Sequence, residues 1–178
     1  MVKTKETLVI NLMGGPCSGK STIASGLFYN LKKLGYNCEL ALEFAKDKVW
    51  EESLKVLDDQ FYIFGKQFHK IFRLNGKVDV IITDSPLIMS LYYNKMPSKY
   101  FNDFVVEQFN QFNNLTFFIE RNDNAYEESG RIQTKEEAEQ IDKDIKNLMS
   151  LYYIKFHTLS CEIAVDEITE IIKNIKTT

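Results

Sequence analysis

Gly14-Gly15-Pro16-Cys17-Ser18-Gly19-Lys20-Ser21 separates two glycines by four residues and follows the second at once with a lysine and a hydroxyl. This is the spacing G-x-x-x-x-G-K-[ST], and its chemistry is that of a phosphate cradle. Gly14 and Gly19 let the backbone bend so that successive N–H groups converge on phosphate oxygens. Lys20 is placed to reach β- and γ-phosphates, and the Ser21 hydroxyl to join the shell of a Mg²⁺ ion. Thr22 offers a further hydroxyl for the α-phosphate. The stretch reads as a nucleoside-triphosphate site, with ATP and Mg²⁺ the expected cofactors.

Four other residues could do chemistry beside it. Asp84 closes the apolar run VDVIIT, and a carboxylate there can hold Mg²⁺, usually through water. Glu43 stands at the end of YNCELALE, where it could take the proton of an attacking hydroxyl; a surface carboxylate between strand and helix is an equal alternative. Arg121 and Arg131 flank a polar stretch, and an arginine swung onto the phosphates would neutralise developing charge and exclude water. Lys66, Lys70 and Arg73 share one helical face but read as solvated, and His69 and His157 have no nucleophile or ligand set around them.

The elements that must position these groups follow from periodicity. Thr7 to Met13 is β-branched and apolar, a buried strand, and Ser21 to Leu34 repeats apolar residues at Ile23, Leu27, Leu31 and Leu34, a helical stripe. Gly35 is a C′ stop, and a second strand ends near Glu43. Asp59 to Leu74 sets Phe61, Phe64, Phe68, Ile71 and Phe72 on one face, taken as core. VDVIIT and Leu115 to Ile119 are further strands, with two helices between them. Residues 121–133 have no period and read as a mobile lid, before a capping box at Thr134-Lys135-Glu136-Glu137. A last strand lies within His157 to Val165, and Asp166 is read as the cap of a terminal helix. Alternating strands and helices predict an α/β fold, a parallel sheet covered on both faces, with ligands beyond the strands' carboxyl ends. Gly14, Glu43, Asp84 and Arg121 all fall there.

The bulk numbers agree. The 178 residues fit one domain, 1–178, and 44% hydrophobic with 26% charged residues is a globular composition. No apolar run approaches a membrane span, MVKTKET lacks a signal peptide's apolar core, and Cys17, Cys38 and Cys161 have no metal spacing, which together predict reduced thiols and a cytoplasmic protein. Residues 1–100 carry 14 basic and 10 acidic side chains, and residues 101–178 carry 8 and 15. The phosphate loop therefore sits in the positive part of an overall acidic chain (net −3).

GGPCSGKST, ALEFAK, VIITDSP and SGRIQTKEEAEQID, in that order, resemble the small P-loop kinases of the nucleoside and nucleotide kinase group. They look most like the domain that phosphorylates nicotinamide riboside and its small phage-encoded relatives. The resemblance implies a P-loop NTPase fold with a five-stranded parallel sheet in the order 2-3-1-4-5. It implies that Gly14 to Thr22 bind the nucleotide, Lys20 and Ser21 bind ATP and Mg²⁺, Glu43 or Asp84 handles acceptor or metal, and Arg121 and Arg131 clamp the phosphates. Thymidylate-type kinases put an arginine directly after the acid of the third strand; Ser85 stands here, which disfavours a phosphorylated acceptor.

The leading expectation is an ATP-dependent kinase acting on a hydroxyl of a nucleoside-like substrate. A phage-type kinase acting on a hydroxymethylated pyrimidine in DNA, a nucleoside monophosphate kinase, and a nucleotide-dependent ATPase or switch without acceptor are the alternatives. A GTP switch fails on its guanine motif N-K-x-D, because the only Asn-Lys pair, Asn94-Lys95, continues Met96-Pro97. No membrane partner is expected, and homodimerisation is left open.

Overall fold

The run LVINLM forms β1 (Leu8–Met13) at the centre of the sheet, where a strand must be apolar on both faces. The computed structural model describes residues 6–95, 98–122 and 134–176. Val9 and Met13 join one core and Ile10 and Leu12 the other, as strand alternation requires. The polar residue of β1, Asn11, is buried with its Nδ2 donating to Asn114 Oδ1 at 2.9 Å, so the central strand carries no orphaned amide. Four more strands, β2 (Cys38–Leu40), β3 (Val80–Thr83), β4 (Asn113–Glu120) and β5 (His157–Ser160), pair in parallel in the order β2-β3-β1-β4-β5. This is the expected order. Leu8 stands opposite Val80 on one side and Asn113 on the other, which aligns the amino ends of the three middle strands.

Helices α1 (Lys20–Lys33) and α7 (Ala164–Lys176) cover one face, through Ile23, Leu27, Leu31, Ile168 and Ile172. The other face is covered by α3 (Gln60–Phe72), α4 (Met89–Tyr93), α5 (Lys99–Asn110) and α6 (Lys135–Leu151). A short α2 (Phe44–Trp50) follows β2 directly. Helix α1 stops where expected: Gly35 takes φ +82°, its N–H donates to Lys32 O at 3.0 Å, and Tyr36 N–H donates to Leu31 O at 2.9 Å. Thr134 and Glu137 form the reciprocal capping box at the start of α6.

Three local expectations are corrected. The second strand ends at Leu40, so Glu43 lies on the turn into α2 instead of in the strand. The buried stripe of α3 is Gln60, Phe64, Gln67 and Ile71, while Phe61 and Phe72 are more than half exposed. The aromatic spacing was ambiguous between two adjacent faces, and the fully buried face is the one that carries two glutamines with internal partners. Helix α7 begins at Ala164, which puts Asp166 in its first turn, where its charge suits the helix dipole, and not at the cap.

Candidate phosphate-transfer site

The loop between β1 and α1 is shaped by three residues in the left-handed region, Gly14 (φ +140°), Cys17 (φ +64°) and Gly19 (φ +83°). Gly14 has a second requirement, since a Cβ there would stand 2.9 Å from the Ile119 carbonyl oxygen and 2.8 Å from Ser18 Oγ. Cys17 holds a conformation costing a non-glycine residue about 1–2 kcal/mol, strain confined to the loop. Lys20 Nζ folds over the loop, donating to Gly14 O at 2.7 Å and Gly15 O at 2.8 Å. Ser18 is buried and donates to Gly15 O at 3.0 Å. Pro16 and Cys17 are half-buried, and Thr22 is exposed on the first turn of α1.

The N-terminus of α1 differs from those of α3, α5 and α6. Asp59, Ser98 and Thr134 cap those three, whereas α1 starts at Gly19 with no side-chain cap and no acid in its first turn. With the loop's spacing and backbone shape, this leaves N–H groups and a positive dipole end suited to an anion.

Asp84 is 4% exposed and gathers the site's other side. Its Oδ2 accepts from Ser21 Oγ at 2.6 Å, and its Oδ1 accepts from the backbone N–H of Glu43 at 2.9 Å. A hydroxyl and a carboxylate oxygen in contact are hard donors of the kind Mg²⁺ prefers, with the rest of its shell supplied by phosphate and water. Among the described residues no group of three or more His, Cys, Asp or Glu could hold a metal. Ser85, next in line, uses its N–H on Thr83 Oγ1 at 3.2 Å.

The turn carrying Glu43 is fixed by Gln67, a residue the sequence reading passed over. Gln67 Oε1 accepts from Phe44 N–H at 3.3 Å, and Nε2 donates to Ala41 O at 3.0 Å and Thr83 Oγ1 at 3.2 Å. A polar residue in register with Phe64 and Ile71 was the available signal. Gln67→Leu should therefore destabilise the fold by about 1–3 kcal/mol in urea denaturation, because Phe44 N–H loses its acceptor. An unchanged midpoint would remove Gln67 from this role. Tyr93, at the end of α4, is a second residue the sequence did not reveal. Desolvation and the nearby charge of Glu43 both push its pKa up, although the residue as a whole is 44% exposed.

Arg121 follows β4 and turns inward. Its side chain is 6% exposed, and Nη2 donates to Ala138 O at 3.0 Å and to Asp142 Oδ2 at 2.5 Å, both on α6. Arg131 and the remainder of the expected lid, 123–133, lie outside the described residues. The structure thus brings Lys20, Ser21, Glu43, Asp84 and Arg121 to one end of the sheet. Lys66 and Lys70 lie instead over the rings of Tyr62 and Phe44.

A family model described as an AAA domain matches residues 9–164. The chain belongs to the AAA domain family. Comparison with curated proteins finds no match. Among solved structures, this AAA domain is similar to the NadR protein in complex with NAD and AMP-PNP, with a TM-score of 0.66 and 16% identity over 92% of this chain and 50% of that one. It is also similar to the NadR protein in complex with NR, with a TM-score of 0.57 and 15% identity over 92% of this chain and 51% of that one. The chain spans about half the length of the NadR chains it matches. These likenesses bear out the P-loop fold. No helix among the described residues is long and apolar enough to cross a membrane.

Proposed function

We propose that this AAA domain is an ATP- and Mg²⁺-dependent phosphotransferase acting on the hydroxyl of a nucleoside-like acceptor. The observation that carries the reading is Asp84. One buried carboxylate touches both the hydroxyl of the phosphate-loop helix, at Ser21, and the backbone of the turn bearing Glu43. The metal side and the acceptor side of a transfer site are tied through a single residue.

When bound, Mg·ATP supplies the transferable phosphoryl group and the charge that steadies it. The loop N–H groups and Lys20 would hold the β- and γ-phosphates, Ser21 and Asp84 would hold the metal, and Thr22 would add a contact to the α-phosphate. Arg121 would neutralise charge on the transferred group, the role the sequence also suggests for Arg131. Glu43 accepts the acceptor's hydroxyl proton as its oxygen bonds phosphorus and the bond to the bridging oxygen of ADP breaks. The NadR structures, in complex with NAD and AMP-PNP and with NR, support ligands of the nucleotide and nucleoside class for this fold.

A second acceptor is favoured by one observation. Phe61, Tyr62, Gly65, Lys66 and His69 line an open groove of about 330 Å³ on α3, an aromatic and basic surface of the kind that stacks bases of a single strand. A hydroxymethylated pyrimidine within DNA suits that surface. Transfer of labelled γ-phosphate to free nucleosides, nucleoside monophosphates and modified DNA decides among acceptors. Labelling of nucleosides is the expected result, labelling of DNA alone selects the second reading, and efficient labelling of monophosphates would overturn the hydroxyl reading. Release of phosphate without any labelled acceptor would make the domain an ATPase.

A further inference from the structure

Asp142 closes the SGRIQTKEEAEQID stretch without a role assigned to it there, yet its carboxylate touches two parts of the phosphate site. Oδ1 accepts from the Gly15 N–H at 2.6 Å, while Oδ2 accepts from Arg121 Nη2 at 2.5 Å. The packing is close. A Cβ on Gly15 would stand 2.8 Å from Asp142 Oδ1 and 2.9 Å from both Arg121 Nη2 and Ala138 O, so α6 and Arg121 are seated directly on the loop. Lys20 grips the same residue from its other side, through the Gly15 carbonyl.

Arg121 is only partly satisfied by these contacts. Its Nε and Nη1 are buried and have no hydrogen-bond partner among the described residues. Buried donors in native proteins are nearly always paired, with protein, water or a ligand. Beside a phosphate loop an anionic oxygen is the acceptor such donors suit.

We propose that Asp142 is a positioning residue of the phosphate site, whose carboxylate joins α6 to the loop at Gly15 and holds Arg121 so that its two remaining donors meet an oxygen of the bound nucleotide. The proposal rests on the reading of the loop as an ATP site. A merely structural ion pair between β4 and α6 would lower thermal stability when cut, and would leave the folded protein's affinity for nucleotide alone.

Asp142→Asn separates the two. The amide oxygen can still accept from Gly15 N–H, but the charge that orients Arg121 is gone. Binding of Mg²⁺ with AMP-PNP to the whole chain is measured by titration calorimetry for the wild type, Asp142→Asn, Arg121→Gln and the double variant, each below its own melting temperature. The expected result is at least fivefold weaker binding by Asp142→Asn, with the double variant no weaker than Arg121→Gln. A loss smaller than fivefold, or one that adds in full to that of Arg121→Gln, overturns the proposal. If Asp142→Asn does not fold, Asp142→Glu, which keeps the charge but shifts it by one methylene, is held to the same limits. Absence of binding by the wild type would overturn the nucleotide reading itself, a result distinct from wild-type binding that the variants leave unchanged.

Discussion

Lys20→Ala is expected to lower phosphoryl transfer by about a hundredfold or more while leaving the fold in place. Lys20 lies at the mouth of a loop already bent by Gly14, Cys17 and Gly19, with its ammonium donating to the carbonyls of Gly14 and Gly15. That ammonium is a cation placed to meet charge accumulating on the β- and γ-phosphates as the transferred group departs. Its interaction strengthens toward the transition state, so its loss falls on kcat as well as on nucleotide affinity. The side chain also ties two loop carbonyls, and a shorter residue releases them. Lys20→Met keeps most of the length without the charge and should fail as badly as alanine, which assigns the effect to the ammonium. Single-turnover transfer from labelled ATP gives the rate, and far-ultraviolet circular dichroism with a melting curve reports the fold. Wild-type turnover in a folded Lys20→Ala variant would falsify the nucleotide-site assignment.

The second large effect belongs to Glu43. An acceptor hydroxyl has a pKa far above neutral and must lose its proton as the phosphoryl group arrives, whereas an acceptor phosphate is already ionised. Glu43→Gln keeps shape and length but removes basicity, and should lower kcat by about a hundred- to ten-thousandfold, with AMP-PNP binding little changed. The structure sharpens this test. Asp84 bonds the backbone N–H of Glu43, not its side chain, so the substitution leaves that tie intact. Asp84→Asn is expected to behave differently. Its amide cannot reproduce both acceptor contacts without placing an N–H₂ against Ser21 Oγ or Glu43 N–H, so Mg²⁺-dependent nucleotide binding should weaken together with turnover. A near-silent Glu43→Gln beside a severe Asp84→Asn with unchanged nucleotide affinity would move the base to Asp84. The ratio of kcat loss to affinity loss therefore assigns the two carboxylates.

Much of this was legible in the residues. The phosphate loop is a local device: its glycines, lysine and serine are adjacent, and their conformations depend on one turn between a strand and a helix. The sheet order was legible only through the resemblance, and the placement of Asp84 through its position at the end of an apolar run. Helix ends at Gly35 and at Thr134 and Glu137 were readable for the same reason, since caps are made by neighbours in sequence.

What only the tertiary structure decided are contacts between residues far apart in the chain. Which face of α3 is buried depended on Gln67 finding Phe44, Ala41 and Thr83, partners on other elements, so the phenylalanine pattern alone pointed one position astray. The second strand stops at Leu40, and the N–H of Glu43 beyond it bonds to Asp84, 41 residues away. Asp142 reaches Gly15 across 127 residues, and no spacing rule spans such a distance. Short-range backbone preferences write themselves into sequence as patterns. A hydrogen bond between distant elements needs only one compatible side chain at each end, and it leaves no pattern until the sheet has brought the two ends together.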